Sequence, residues 1–510
     1  VPQPETKRFG ATLLTSVFIV SSCTLFYELL ISTASSYFLG NSIFHFSITI
    51  GVFMTFLGVG SFASKYIVND LLRRFIIIEI AVGIIGGVSV LLLYPSFARG
   101  EELYYTTAFL LTATISFLAG LEIPLVTRIL KDYQGIKDAL AHILCFDYLG
   151  ALIASILFPV VLLPTFGMLR TAFFVGILNL LAALVLSWEF RIQLGGAKKL
   201  IALCIGSLCV ISYGLWISPT LVGIAEQALY DDEIVLSSQS QYQKITVTQY
   251  KDDTRLYLNG NLQFSSYDEY RYHEPLVHIP MAVARNVERV LILGGGDGLA
   301  VRELLHYATL KEIVLVDLDP AMTSLATTHP LFTRINNGAL TNNLVQIIHD
   351  DAWKFLERGS DLFDLIIIDL PDPSEPALGK LYTKEFYTLV AKRLSATGVM
   401  VTQASSPYFA REAFWCIEHT IHAVFSATLP YKSYVPSFGE WGFVLAAERS
   451  LQPPVRLLYQ DTRYLTEQNL HGFFVFDRDT EAEEGDAIPV NTLDTQELLK
   501  LYARGWVGVG

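Results

Sequence analysis

Chemistry in this chain is best sought at aspartates that follow short apolar runs. The stretch IIIDLPDPSEP sets Asp369 and Asp372 directly after four apolar residues, with three prolines stiffening the segment. Two carboxylates so close on a stiff segment are costly to hold unless a cation or a proton occupies the space between them. An amine fits that space. A turn aspartate before Pro373 accounts easily for Asp372 but poorly for Asp369. Upstream, Gly294, Gly295, Gly296, Asp297 and Gly298 form a loop whose missing side chains let a nucleoside approach the backbone at a helix start. Alone, such a loop is often only a tight turn. Asp317 lies 23 residues after Gly294, close to the spacing of roughly 20 at which a carboxylate meets ribose hydroxyls. Together the two signals imply an adenosine-type ligand, and the missing third dinucleotide glycine favours an S-adenosyl compound over NAD. Asp350 and Asp351 end a further run and are placed to accept from the exocyclic amine of a base. Asp350 also reads as the cap of a helix beginning near Ala352.

These residues need elements to hold them. Strands are expected over 289–296, 312–319, 344–350, 362–369 and 398–404, with helical stretches near 299–308, 320–327, 352–357, 383–393 and 409–424. That alternation predicts a doubly wound parallel sheet, in which ligands sit outside the carboxyl ends of the strands. Before it, residues 233–263 alternate in hairpin fashion, as in KITVTQY, KDDT and RLYLNGNLQF.

The first half is of another kind. The chain is 52% hydrophobic and 17% charged over 510 residues, too apolar for one soluble globule. The excess sits before residue 220, in seven runs at roughly 11–36, 44–64, 75–96, 103–126, 139–163, 168–188 and 199–217, each long enough to cross a bilayer core of about 30 Å. The first is too long for a cleaved signal peptide and is followed by six more. Lys7, Arg8, Lys65, Arg73, Arg74, Arg128, Lys131, Lys137, Arg191, Lys198 and Lys199 fall in alternate connections, whereas the others hold only Arg99 and Arg170. Positive loops stay cytoplasmic, so the amino terminus reads as inside and an odd number of spans carries the second half to the outer face. Glu28, Glu79, Glu122 and Asp147 lie within the spans, where carboxylates either line a cation path or hydrogen-bond between helices. The expected organisation is a transmembrane domain of about seven helices (1–218), a linker (219–232), a small β domain (233–275), a Rossmann-like domain (276–450) and a carboxy-terminal extension (451–510). The five cysteines offer neither a disulfide framework nor metal-ligand spacing. A net charge of −13 excludes a basic nucleic-acid footprint.

From Gln243 to Ala447 the sequence resembles the spermidine synthase (polyamine aminopropyltransferase) family, including its bacterial members with several amino-terminal spans. The resemblance rests on ordered motifs: QYQKITV, LNGNLQFSSYDEYRYHEPLVHIPM, VLILGGGDG, VLVDLDP, DLPDPSEP with LYTKEFY, and VPSFGEWGFVLAAE. It implies that Gln243, Gly294, Gly296, Asp317, Asp351, Ala352 and Pro376 contact the adenosine part of decarboxylated S-adenosylmethionine, a co-substrate and not a tightly bound cofactor. By the same resemblance Tyr272, His273, Asp297 and Asp372 hold the amine and aminopropyl groups, Asp369 accepts the proton, no metal takes part, and the chain forms a dimer or larger assembly. The acceptor implied is a diamine, putrescine by default. The sequence departs from the family at Phe438, where a hydroxyl-bearing Tyr is common, and at Ala352, where Gly is usual. Two alternatives differ in class. A membrane polyamine sensor or transporter would not require a base at Asp369. An S-adenosylmethionine-dependent N-methyltransferase would find the Asp297 carboxylate repelling the carboxylate of its cofactor.

Overall fold

The computed structural model describes residues 4–39, 42–134, 136–194, 196–482 and 488–506, so 483–487 and 507–510 of the expected extension lie outside the described residues. The chain divides into two compact units, Val1–Asp232 and Glu233–Gly510.

The amino-terminal unit is helical: α1 (Pro4–Leu39), α2 (Ser42–Ala63), α3 (Leu71–Ala98), α4 (Glu101–Gln134), α5 (Ile136–Leu157), α6 (Leu163–Glu189) and α7 (Ala197–Gln227). A π-helical turn, Phe158–Leu162, joins α5 to α6, giving a continuous apolar run of 53 residues. At about 1.5 Å per residue that run would be roughly 80 Å long. Gly167 breaks it, with φ 68° and ψ 179°. The core is formed around α1, α3 and α4 by side chains such as Tyr27, Leu30, Phe75, Val90 and Ile115. Ile48, Met54, Leu152, Ile156, Val210 and Trp216 stand exposed on α2, α5 and α7. So much apolar surface is far more than a soluble monomer carries, and these long apolar helices are compatible with membrane association. Helices α2 and α4 meet backbone to backbone, since a Cβ on Gly60 would lie 2.0 Å from the Phe117 carbonyl oxygen and one on Gly120 2.1 Å from that of Leu57. One expectation is corrected: residues 219–227 are not linker. Helix α7 continues through Pro219 because Leu221, Val222 and Ile224 extend the same apolar pattern.

The carboxy-terminal unit begins with an antiparallel sheet, β1 (Glu233–Gln239), β2 (Lys244–Tyr250), β3 (Asp253–Leu258) and β4 (Asn261–Ser265), in sequential order. Asn259 and Gly260, with φ 51° and 84°, make the tight turn between β3 and β4. The main sheet contains β5 (Arg289–Gly294), β6 (Glu312–Asp317), β7 (Val345–His349), β8 (Phe363–Asp369), β9 (Leu394–Gln403), β10 (Ala427–Val435) and β11 (Gly439–Ala447), in the order β10-β11-β9-β8-β5-β6-β7. Strands β5 to β9 are parallel, as expected, and the hairpin β10–β11 joins β9 antiparallel, so the sheet is mixed.

Helices α8 (Tyr270–Val283), α9 (Leu299–Leu304) and α10 (Pro320–Thr328) accompany it. The boundary expected at 275/276 falls inside α8, whose Leu276, Val277 and Ile279 are buried in the core of the main sheet. Pro275 cannot donate to the Arg271 carbonyl, and the Ser433 hydroxyl does so instead at 2.7 Å. Residues after 450 are part of the same body. Leu457, Leu465, Leu470 and Phe473 enter the core, and the Glu274 carboxylate accepts the N–H groups of Arg463, Tyr464 and Leu465 at 2.6–2.9 Å.

Candidate active site

Strands β5 and β8 pair so that Gly294 lies opposite Asp369. The Gly295 N–H donates to the Asp369 carbonyl at 3.1 Å. At Gly294, φ is 84° and a Cβ would fall 2.1 Å from that same carbonyl oxygen, so only glycine turns the chain here. A Cβ on Gly296 would lie 2.4 Å from Asp317 Oδ2. The glycines thus bring three strand ends, those of β5, β6 and β8, to one place.

On one side of the loop, Asp317 Oδ1 accepts the Asp319 N–H at 2.8 Å. Asp319 starts α10 through the Ala321 N–H and also accepts from Gln243 Nε2 at 3.0 Å and Ser240 Oγ at 2.7 Å. Gln243, from the connection between β1 and β2, is therefore fixed on Asp319, two residues from Asp317. Burial pushes the Asp317 carboxyl up to about 6 against the pull of the Asp319 amide. Further along, Asp351 caps the helix Ala352–Arg358 by accepting from Trp353 and Lys354, and it pairs with Lys380 at 2.9 Å. Asp350 is not the cap, contrary to expectation. The helix starts one residue too late for it, and its carboxylate accepts the Asp351 N–H instead. Pro376 opens the short helix Pro376–Gly379.

On the other side, acids gather. Asp369 Oδ1 accepts from the Tyr272 hydroxyl at 2.6 Å. Burial raises this carboxyl, while His273 and Tyr272 hold it down. His273 Nδ1 sits 2.8 Å from the Glu269 carbonyl and 3.0 Å from Glu269 Oε2. Arg302 clamps the two Glu269 carboxylate oxygens at 2.9 Å each. Burial works against a charged imidazole, but Glu269, with Asp297 and Asp369, reverses that and pushes His273 up to about 9. Asp297 accepts the Leu299 N–H at 2.9 Å, and burial pushes it up to about 6, with His273 opposing. Asp372 Oδ2 accepts from Ser405 Oγ at 3.0 Å, whereas among the described residues its buried Oδ1 has no close hydrogen-bond donor. Burial pushes Asp372 up to about 6, with Ser405, Tyr502 and Gln403 opposing. Ser405 holds its position at φ 63°, a strained conformation for serine. Gln403 Nε2 and the Tyr382 hydroxyl bind the Leu370 carbonyl at 2.8 and 3.2 Å and so fix the loop between the two aspartates.

The site residues expected from sequence fall at the carboxyl edge of one sheet or on the segments beside it. Glu269, Arg302, Ser405 and Tyr502 were not foreseen. Glu269 was readable in DEYRYHE, four residues before His273 on one helical turn; the other three are brought in only by tertiary folding.

A Gly-rich first loop, a carboxylate at the second strand end and acids at the fourth define a Rossmann-type α/β transferase domain. The family model of the spermine/spermidine synthase domain matches residues 269–455. The chain is 44% identical over 495 residues to the polyamine aminopropyltransferase of Leptospira interrogans, covering 97% of this chain and 98% of that one. It is 42% identical to polyamine aminopropyltransferase 1 of Ralstonia nicotianae, covering 100% and 97%, and 40% identical to that of Oceanobacillus iheyensis, covering 96% of each. This chain belongs to the polyamine aminopropyltransferase family and is an aminopropyltransferase. A crystal structure of spermidine synthase in complex with the transition state analogue AdoDATO is also similar, at 26% identity over 48% of this chain and 85% of that one, with a TM-score of 0.45.

Proposed function

We propose that the carboxy-terminal unit transfers the aminopropyl group of decarboxylated S-adenosylmethionine to a diamine, putrescine by default, giving spermidine and 5′-methylthioadenosine. The observation that carries this reading is the convergence of Asp297, Asp369 and Asp372 around Tyr272 and His273, with the buried Asp372 Oδ1 lacking a close donor among the described residues. An ammonium group supplies donors and positive charge together. Asp372 and Asp297 hold the diamine, and Tyr272 and His273 orient the reacting nitrogen. Gln243, Gly294, Gly296, Asp317, Asp351, Ala352 and Pro376 hold the nucleoside, with Lys380 sharing Asp351.

A primary amine has a pKa near 10.4, as lysine does, and arrives protonated. Asp369 takes one proton, directly or through water. The freed nitrogen lone pair attacks the methylene carbon next to sulfur, the carbon–sulfur bond breaks, and its electrons neutralise the sulfonium, leaving a thioether. The remaining contribution is alignment of nitrogen, carbon and sulfur. The test is to incubate detergent-purified chain with decarboxylated S-adenosylmethionine and a panel of diamines, measuring methylthioadenosine and the amine product. Amine-dependent release that Asp369→Asn lowers by about 10²–10⁴-fold is expected. Equal release by the variant would remove Asp369 as the base, and a preferred acceptor other than putrescine would replace the default.

We propose further that the amino-terminal unit anchors the enzyme in the cell membrane by seven crossings, with the amino terminus inside. The exposed apolar side chains of α2, α5 and α7 and the Lys/Arg bias of alternate loops support this reading. It puts the catalytic unit on the outer face.

A further inference from the structure

We infer that the helical unit contains a buried binding site for a primary ammonium group, centred on Glu79 and Glu122 and completed by Tyr27 and Asn179. Four helices contribute: Tyr27 comes from α1, Glu79 from α3, Glu122 from α4 and Asn179 from α6. Glu79, Tyr27 and Asn179 are fully buried and Glu122 is 9% exposed. The two glutamates face each other, and the Tyr27 phenol lies in the field of Glu79. Gly86 makes room for that ring, since a Cβ there would lie 2.3 Å from it.

What marks the cluster is a shortage of donors. Among the described residues, no N–H or hydroxyl donor lies at close hydrogen-bond distance from either carboxylate oxygen of Glu79, from Oε1 of Glu122 or from Oδ1 of Asn179, all buried, and the Tyr27 hydroxyl has no such partner either. Asn179 gives its Nδ2 to the Glu79 main-chain carbonyl at 2.8 Å, which ties α6 to α3 and leaves its own oxygen open. Glu122 and Asn179 interact with the Glu79 carboxyl across the helices, yet these contacts do not supply all the missing donors. A proton shared by the glutamates satisfies one acceptor and leaves the rest, and a buried acceptor left unmet is costly. An –NH₃⁺ group brings three donors, no acceptor and one positive charge, which matches what is missing. A divalent metal fits less well, because among the described residues no three His, Cys, Asp or Glu side chains are set to hold one. Asp147 on α5, half-exposed, also lies in the field of Glu122. The family activity already makes aliphatic ammonium compounds the cargo of this chain. The choice of spermidine as probe rests on that activity, while the site rests on the donor shortage.

The test is equilibrium dialysis of radiolabelled spermidine against the full chain in detergent. In an Asp369→Asn/Asp372→Asn chain, in which the transfer site is disabled, about one equivalent should remain bound, and adding Glu79→Gln/Glu122→Gln should weaken that binding at least about tenfold. No binding to the first variant, or unchanged binding in the second, would overturn the inference. Glu79→Gln/Glu122→Gln alone should retain aminopropyl transfer, which checks folding and judges the transfer site separately. A measurement on the unaltered chain covers a variant that does not fold. A hydrophobic carbodiimide should modify Glu79 or Glu122, and millimolar spermidine should slow that modification. Modification at the same rate with and without spermidine would exclude an ammonium ligand.

Discussion

At the scale of single residues, the acids of the transfer site work against the fold that carries them. Burial raises Asp372 to about 6, above the 3.9 or so of an unfolded aspartate. The folded state therefore binds this proton more tightly than the unfolded state. Stability from this group falls as pH rises from about 4 to 6, and the loss is complete at neutral pH. Asp372→Asn should stabilise the unit by about 1–2 kcal/mol at pH 7.5, or roughly 2–5 °C in Tm, while amine binding weakens severely. Thermal unfolding of both proteins at pH 7.5 and 5 checks this, and the gap should narrow at the lower pH. An unaltered or lower Tm at pH 7.5 would mean that Asp372 is better solvated than its orphaned oxygen indicates. His273 has the opposite sign. Its folded pKa of about 9 exceeds an unfolded value of about 6.5, so its contribution is present below 6.5 and is lost as pH rises through 9. The aspartates were legible in the sequence because each ends an apolar strand or follows one within three residues. The Arg302 clamp on Glu269 was not, because it joins residues 33 apart in the chain through the packing of α8 on α9. The cap before Ala352 was misplaced by one residue, within the ordinary fuzziness of a helix boundary, and that shift gave to Asp350 the capping role that Asp351 holds.

At the scale of elements, the parallel strands were readable from their apolar runs and glycine turns, and the four strands before them from alternation. Helix α8 was not among the expected elements, and it contains Pro275 and Pro280. It survives because Ser433 replaces one missing donor and Tyr431 donates to the Pro275 carbonyl at 3.0 Å. The register between β5 and β8 is the element-scale feature on which the site most depends. Gly294→Ala should force apart the strand ends, since its Cβ has no room beside the Asp369 carbonyl and its φ is unfavourable. The expected outcome is a loss of transfer activity by at least about 10²-fold, because displacement of about 1 Å is enough to misalign reacting atoms. Gly338→Ala serves as a control, being also at positive φ but with only Thr341 Oγ1 near, at 3.8 Å. It should cost stability with little change in kcat. Equal kcat losses in the two variants, measured by methylthioadenosine release, would show that backbone strain in general, and not the β5–β8 contact, sets activity.

At the scale of the whole molecule, the side of the membrane on which the catalytic unit lies turns on one stretch of helix. Arg128 donates to the Ser64 and Ile67 carbonyls at 2.7 and 2.8 Å, which places the positive connections after α2 and α4 at the same end of the bundle. That pairing agrees with a shared cytoplasmic side for both connections. The count after α4 depends on residues 137–189. Crossing twice, with the break at Gly167, they bring the total to seven and the second unit outside; folding back without one crossing, they bring it to six and the second unit inside. A chain with Cys145→Ser and Cys209→Ser retains Cys23, Cys204 and Cys416, all buried. On that background, Lys251→Cys in the exposed β2–β3 turn reports the second unit, and Arg191→Cys in the α6–α7 connection reports the expected cytoplasmic side. Treating intact cells with a membrane-impermeant maleimide should label the first and spare the second until the cells are opened. Shielding of both would move the catalytic unit inside and require that α7 make no crossing. Labelling of Arg191→Cys with shielding of Lys251→Cys would instead fit a single crossing by α5 and α6 together, or a reversal of the whole bundle against a charge bias that separates eleven Lys and Arg from two.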